Sequence, residues 1–187
     1  AGGPGLIPDR RTRSHTPQLK ILHAAARRSN TPQLRLSTAK SIKTKNIQLK
    51  IPVAGEKIEV GEGAYLKFLT PISGFDSQEN INNTSLVFMF YYGDTKMIFL
   101  GDAEKVLEQK LVSIYGDQLK AQILKSPHHG SRTSSSEALL SSVKPETALI
   151  SLQKGNDYGH PHSEVMNRYK KQNIQIYRTD TNGDITV

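Results

Sequence analysis

The sequence predicts an α/β (α+β) fold, and three observations carry that prediction. From Lys96 onward, short apolar runs of strand length alternate with amphipathic stretches of helix length. Polar loops rich in Gly, His and Ser follow the ends of those runs, where α/β sheets usually place their ligand sites. Ahead of Lys96, residues 47–92 read as strands joined by Gly-containing turns. With 187 residues, 36% hydrophobic and 22% charged, the chain is long enough and apolar enough for one domain with a real core.

The elements follow in order. Residues 1–16 read as a flexible basic arm, with Gly2, Gly3, Pro4, Gly5 and Pro8 ahead of Arg10, Arg11 and Arg13. Residues 17–187 form the domain. Thr16-Pro17 is a helix start, Thr as N-cap and Pro at the first helical position, and Leu19, Leu22 and Ala26 share a face up to about Asn30. Three short strands are expected next, at Ile47–Ile51, Lys57–Val60 and Tyr65–Leu69. A loop over 71–84 ends in Asn82-Asn83-Thr84. Strands at Ser85–Tyr91 and Lys96–Leu100 are joined at Gly93-Asp94, a hairpin turn.

A helix over Ala103–Tyr115 would turn Val106, Leu107, Leu111 and Ile114 to the core, with Glu104 in its first turn as the helix dipole favours. A strand over 120–125 leads into Pro127-His128-His129-Gly130. Serines at 134–136 cap a helix near Glu137–Val143. The strand Ala148–Leu152 ends in a polar loop, Lys154–His162. A helix over 163–172, a strand Ile174–Tyr177 and a last strand Asp184–Val187 complete the chain.

Composition excludes some chemistry. There is no Cys, so neither a disulfide framework nor a thiolate ligand exists, and any metal must be held by His, carboxylate, backbone or water. The longest apolar run, Leu86–Tyr92, is too short to span a bilayer, and Ala1–Gly5 has no secretory-signal pattern. The net charge is +8, and its surplus lies in residues 1–50, which hold 11 Lys/Arg and one acid, Asp9. That region would attract a polyanion such as DNA, or simply be a solvated basic face. No aromatic residue lies there to stack on bases.

The candidate chemistry sits at strand ends. Asp102, at the junction of a buried strand and a helix, can ligate or bridge divalent metals; the plainer alternative is that it caps the helix. His128 and His129 follow the next strand. On an extended segment adjacent side chains point to opposite sides, so at most one of the two is a ligand while the other could hold the loop or contact substrate; the plainer alternative is a turn with two surface imidazoles. Gly130 lets the backbone approach a ligand, and Ser131 can donate to an anion, as can Ser134 beside it. In Tyr158-Gly159-His160-Pro161-His162, His160 is a proton donor or phosphate contact, and Tyr158 a substrate contact; a plain helix-entry loop is the alternative. Arg178 either neutralises a substrate phosphate or pairs with Asp180. His15 and His23 show no ligand spacing.

Taken in order, these pieces resemble one family. Asn82-Asn83-Thr84-Ser85, Gly101-Asp102-Ala103-Glu104, Leu124-Lys125, Pro127-His128-His129-Gly130-Ser131, Tyr158-Gly159-His160-Pro161 and Tyr177-Arg178-Thr179-Asp180 resemble the metallo-β-lactamase-fold domain of ComEC-type DNA-uptake competence proteins. The resemblance implies an αβ/βα sandwich, here N-terminally truncated, so that residues 17–187 are its C-terminal portion. It implies a hydrolase site with one or two divalent ions, Zn or Mn, with Asp102 and one of His128 and His129 as ligands. It also implies action on phosphodiesters, as a DNA nuclease, at the extracytoplasmic face of a membrane. The signature His-x-His-x-Asp-His motif is not found, so this chain supplies about two ligands where a catalytic zinc has about three. The alternative is a non-catalytic module that keeps the second half of the fold and binds nucleic acid or a partner. An exposed sheet edge would then invite a homodimer or a complementing chain.

Overall fold

The computed structural model describes residues 44–46, 50–73, 75 and 80–187. The expected basic arm, the helix from Thr16, residues 47–49 of the first expected strand, and His15 and His23 lie outside them. The described residues form a mixed α/β fold around one seven-stranded sheet, its strands side by side in chain order. β1 (Lys57–Gly61), β2 (Ala64–Phe68), β3 (Phe88–Tyr92) and β4 (Thr95–Phe99) are antiparallel neighbours. β5 (Ile123–Lys125), β6 (Thr147–Ile150) and β7 (Gln175–Arg178) continue the sheet parallel to β4. The Gly93-Asp94 hairpin is as expected. Each parallel step needs a crossover, and the helices supply them: α1 (Lys105–Tyr115) before β5, α2 (Glu137–Val143) before β6 and α3 (Ser163–Lys171) before β7.

The register explains the burial. Met89, Ile98, Leu124 and Ala148 lie opposite one another across four strands, hence on one face. All four are buried with Leu107 and Leu111 of α1, Leu139, Leu140 and Val143 of α2, and Val165 and Tyr169 of α3. The next row, Phe88, Phe99, Lys125, Leu149 and Tyr177, lies on the opposite face. There the Phe88 and Phe99 rings stack with centroids 4.8 Å apart. Because β4 to β7 run in the same direction, the loops that follow them emerge at one edge. That gathers Asp102, the His128-His129 turn, the 151–162 loop and the end of β7.

Several expectations are corrected. α1 begins at Lys105 with Glu104 at the N-cap, so Asp102 does not cap it. Its inward face is Leu107, Glu108 and Leu111, whereas Val106 and Ile114 are 56% and 44% exposed. A carboxylate takes the inward position because it has backbone donors waiting there, as described below. Lys50 and Ile51 are not in a strand; Lys50 instead pairs with Glu56. The last expected strand is absent: β7 passes into the short α4 (Thr179–Asn182), and residues 184–187 have no regular structure. Local polar bonds decide this turn. Asn182 Oδ1 accepts from the Arg178 N–H at 2.9 Å, and the Thr179 hydroxyl donates to the Leu152 carbonyl at 2.8 Å. These side chains offer the backbone an alternative to a sheet ladder.

Candidate metal centre at the strand ends

The polar turn ahead of β3 fixes the acidic side of the site. Asn80 caps a 3-10 turn over Ile81–Thr84 by accepting from the Asn82 N–H. Its Nδ2 and that of Asn82 donate to the two oxygens of Glu104, at 2.8 and 2.7 Å. Asn83 Oδ1 accepts from the Glu104 N–H at 3.1 Å. The Ser85 hydroxyl donates to the Asn82 carbonyl and accepts from the Asp102 N–H at 3.0 Å. Four polar residues of this turn, Asn80, Asn82, Asn83 and Ser85, thus hold the backbone of Asp102 and both ends of Glu104. Glu104 and the asparagines have a role that the charge pattern alone did not indicate; the signal was the Asn-rich turn itself, unusual ahead of an apolar strand.

The imidazole side is built differently. His128 and His129 are not extended. Both have left-handed backbones, φ 48° and 53°, inside a 3-10 turn over Pro127–Gly130. Two successive non-Gly residues in this region carry strain of about 1–2 kcal/mol each, a feature that clusters at functional sites. The two rings face different acids. His128 Nδ1 is 3.3 Å from Glu104 Oε1, and His129 Nε2 is 3.6 Å from Asp102 Oδ1. His129 Nδ1 lies 2.6 Å from the Ser151 carbonyl. A carbonyl only accepts, so Nδ1 carries the hydrogen, and Nε2, the lone-pair nitrogen whenever the ring is neutral, is the one turned towards Asp102.

The 151–162 loop closes over this turn. The His162 N–H donates to the Gly130 carbonyl, and His162 Nδ1 accepts from the Arg132 N–H. Gly130 has φ +79°, and a Cβ there would lie 2.7 Å from Pro161 Cβ. The close approach brings His160 to within 5.7 Å of His128 and 4.9 Å of His162, ring to ring. Burial, then the imidazoles of His162, His128 and His129, push the His160 pKa below the usual histidine value, against the pull of Asp102. Lys125 ends β5 nearby, its Nζ donating to the Ser126 carbonyl at 3.0 Å. Burial lowers its pKa to about 8, with Asp102 pulling the other way.

The turn rests on a buried network. Glu108 is fully buried and accepts from the Ser135 and Ser136 N–H groups at 2.6 and 2.8 Å. Burial pushes its pKa up, against the bonds from Ser136 and Ser135 and the charge of Arg168. Arg168 donates to the carbonyls of Ser134 and Ser135. The Tyr169 hydroxyl links Ser135 to Ser126, the residue ahead of the His turn.

Three of the expected substrate contacts have partners within the chain. Ser134 is fully buried, and its hydroxyl bonds the carbonyls of Pro127 and Ser131. Ser131 is 6% exposed and pairs with Thr133. Arg178 holds Asp180 through two bonds, at 3.0 and 2.6 Å, so its guanidinium is taken by that pair.

The chemistry fits a cation between Asp102 and His129. A carboxylate and an imidazole lone pair are both acceptors, and facing each other at 3.6 Å they call for a cation or a proton between them. That separation is close to the spacing of two neighbouring ligand atoms on an ion with bonds of about 2.0–2.2 Å. The Ser151 bond on the far nitrogen is the usual support for a ligating histidine. Among the described residues, no group of three or more His, Cys, Asp or Glu side chains gathers to hold an ion. The pair could supply two ligands.

The family model of the metallo-beta-lactamase superfamily matches residues 38–154. The chain belongs to the metallo-beta-lactamase superfamily. It is 40% identical over 104 residues to ComE operon protein 3 of Bacillus subtilis, covering 56% of this chain and 13% of that protein. It is 37% identical over 124 residues to competence protein ComA of Neisseria gonorrhoeae, covering 65% and 17%. It is 32% identical over 126 residues to recombination protein 2 of Haemophilus influenzae, covering 67% and 15%. The chain thus spans less than a fifth of the length of these relatives. A Thermotoga maritima crystal structure of the same superfamily aligns at a TM-score of 0.38 and 14% identity, over 66% of this chain and 59% of that one. The resemblance of the ordered motifs to the ComEC-type domain is borne out by these competence-protein matches. No helix among the described residues is long and apolar enough to cross a membrane.

Proposed function

We propose that this metallo-beta-lactamase-superfamily chain carries part of a metal-dependent phosphodiesterase site that acts on DNA, as a nuclease of the competence type. The observation that carries the reading is the Asp102–His129 pair, two acceptors face to face at the shared edge of the parallel strands. The competence and recombination names of the relatives support DNA as the substrate. Asp102 and His129 would hold the ion, whereas His128 turns to Glu104 and steadies the turn. A Zn²⁺ or Mn²⁺ ion held there would polarise a phosphoryl oxygen and acidify a water molecule.

The remaining roles belong to this chain's own groups. Ser151 fixes the His129 tautomer, and the Asn80–Ser85 turn fixes the backbone at Asp102. Burial and the neighbouring imidazoles disfavour the protonated form of His160, so its ring is suited to accept a proton, as from an attacking water, rather than to give one. The Lys125 ammonium offers positive charge beside Asp102 for a phosphate. The test is cleavage of labelled single-stranded DNA by the chain with Mn²⁺ or Zn²⁺. Cleavage that disappears in Asp102→Ala is expected. Salt-sensitive DNA binding with no cleavage under either ion would overturn the nuclease reading and favour a binding module.

A further inference from the structure

Beside the His129 ring lies a cavity of about 390 Å³ that the roles above leave unused. Its lining includes the rings of His129, Tyr158 and His160, the apolar side chain of Leu152 and the amide of Gln153. No carboxylate lines it. Tyr158 is 77% exposed, an unusual position for a large aromatic side chain. It is not loosely placed. Its ring packs on His160 at 24° with centroids 5.7 Å apart. The loop that carries both is pinned by Asn156, whose Nδ2 donates to the carbonyls of Gln153 and His160 and whose Oδ1 accepts from the His160 N–H.

We propose that this cavity is a nucleobase subsite, in which a base next to the scissile phosphate stacks on Tyr158. Several features select a flat, neutral ring over other ligands. One face of the tyrosine is backed by His160 and the rest of the ring is open, which is how aromatic platforms present themselves to bases. Leu152 adds apolar surface and Gln153 can bond a base edge, the mix of apolar lining and few polar groups that small-ligand sites use. His129 belongs both to this cavity and to the Asp102 pair, so a base seated here places its own phosphate at the metal-ligand pair. Stacking has no base code, so the subsite would hold any base.

The inference rests on the phosphodiester reading, and its test is binding, which does not need turnover. The probes are a short fluorescein-labelled thymidine oligonucleotide and an abasic strand of the same length, titrated by anisotropy. Tyr158→Ala should weaken the base-bearing strand about fivefold or more, the effect of ~1 kcal/mol of stacking, and leave the abasic strand unchanged. Tyr158→Phe should bind as the parent does. Equal weakening of both strands, or no effect on either, would overturn the subsite. If the Tyr158 effect holds while no ion supports cleavage, the subsite stands and the nuclease reading falls.

Discussion

Glu108 is the buried charge on which the histidine turn depends, and its removal has a calculable cost. Glu108→Ala leaves the Ser135 and Ser136 N–H groups, now bonded at 2.6 and 2.8 Å, facing an empty site. Each buried donor left without an acceptor costs about 1–3 kcal/mol. Ser135 is held at φ 56°, a strain of about 1–2 kcal/mol that those bonds keep in place. Removal also relieves the burial of a carboxylate, which offsets part of the loss. The net expectation is a destabilisation of about 3 kcal/mol, within the range for breaking a buried charged network. Glu108→Gln keeps the shape but turns an NH₂ towards one donor, and should lose about 1–2 kcal/mol. Urea denaturation of the three proteins measures this. If Glu108→Ala lies within about 0.5 kcal/mol of the parent, as an ordinary surface change would, the account of the network is wrong.

Three further outcomes are expected. Gly130→Ala would drive a Cβ to 2.7 Å from Pro161 in a left-handed backbone, and should lower stability by about 2–4 kcal/mol; an unchanged thermal midpoint would show that the two loops do not touch. Lys125 has a folded pKa of about 8 against an ordinary 10.5. Between those values the unfolded chain holds a proton that the folded chain has released, so stability rises as pH passes through the window. Lys125→Met should therefore stabilise the protein at pH 7, by up to about 3 kcal/mol, and much less at pH 10; an equal gain at both pH values would contradict the shift. Asn82→Ala should remove the amide donor from Glu104 Oε1, which keeps His128 beside it, and cost about 1 kcal/mol, read by urea denaturation; a change below the error of that assay would show that the asparagine does not clamp Glu104.

The sequence showed the alternation of strands and helices from Lys96 on because each strand there is a short apolar run and each loop carries turn residues. It also pointed to the loops that converge, since parallel strands send their C-terminal ends to one edge. It misplaced what depends on long-range polar contacts. The apolar pattern of α1 turns Val106, Leu107, Leu111 and Ile114 inward, and Leu107 and Leu111 are buried, yet Glu108 takes the remaining inward position because Ser135 and Ser136, far along the chain, present donors to it. A last strand is expected over Asp184–Val187, but the bonds of Thr179 and Asn182 turn the chain first. His128 and His129 were separated by the alternation of an extended segment. The structure separates them by left-handed backbones, and their partners, Glu104 and Asp102, come from a loop no local pattern links to them.

The central claim is that Asp102 and His129 ligate one ion while His128 does not. Zinc titration followed by calorimetry, on the full chain and on Asp102→Ala, His129→Ala and His128→Ala, tests it most directly. The account predicts zinc binding that is lost in the first two variants and kept in the third. Zinc bound equally by the parent and by Asp102→Ala, or lost through His128→Ala while His129→Ala keeps it, would contradict it.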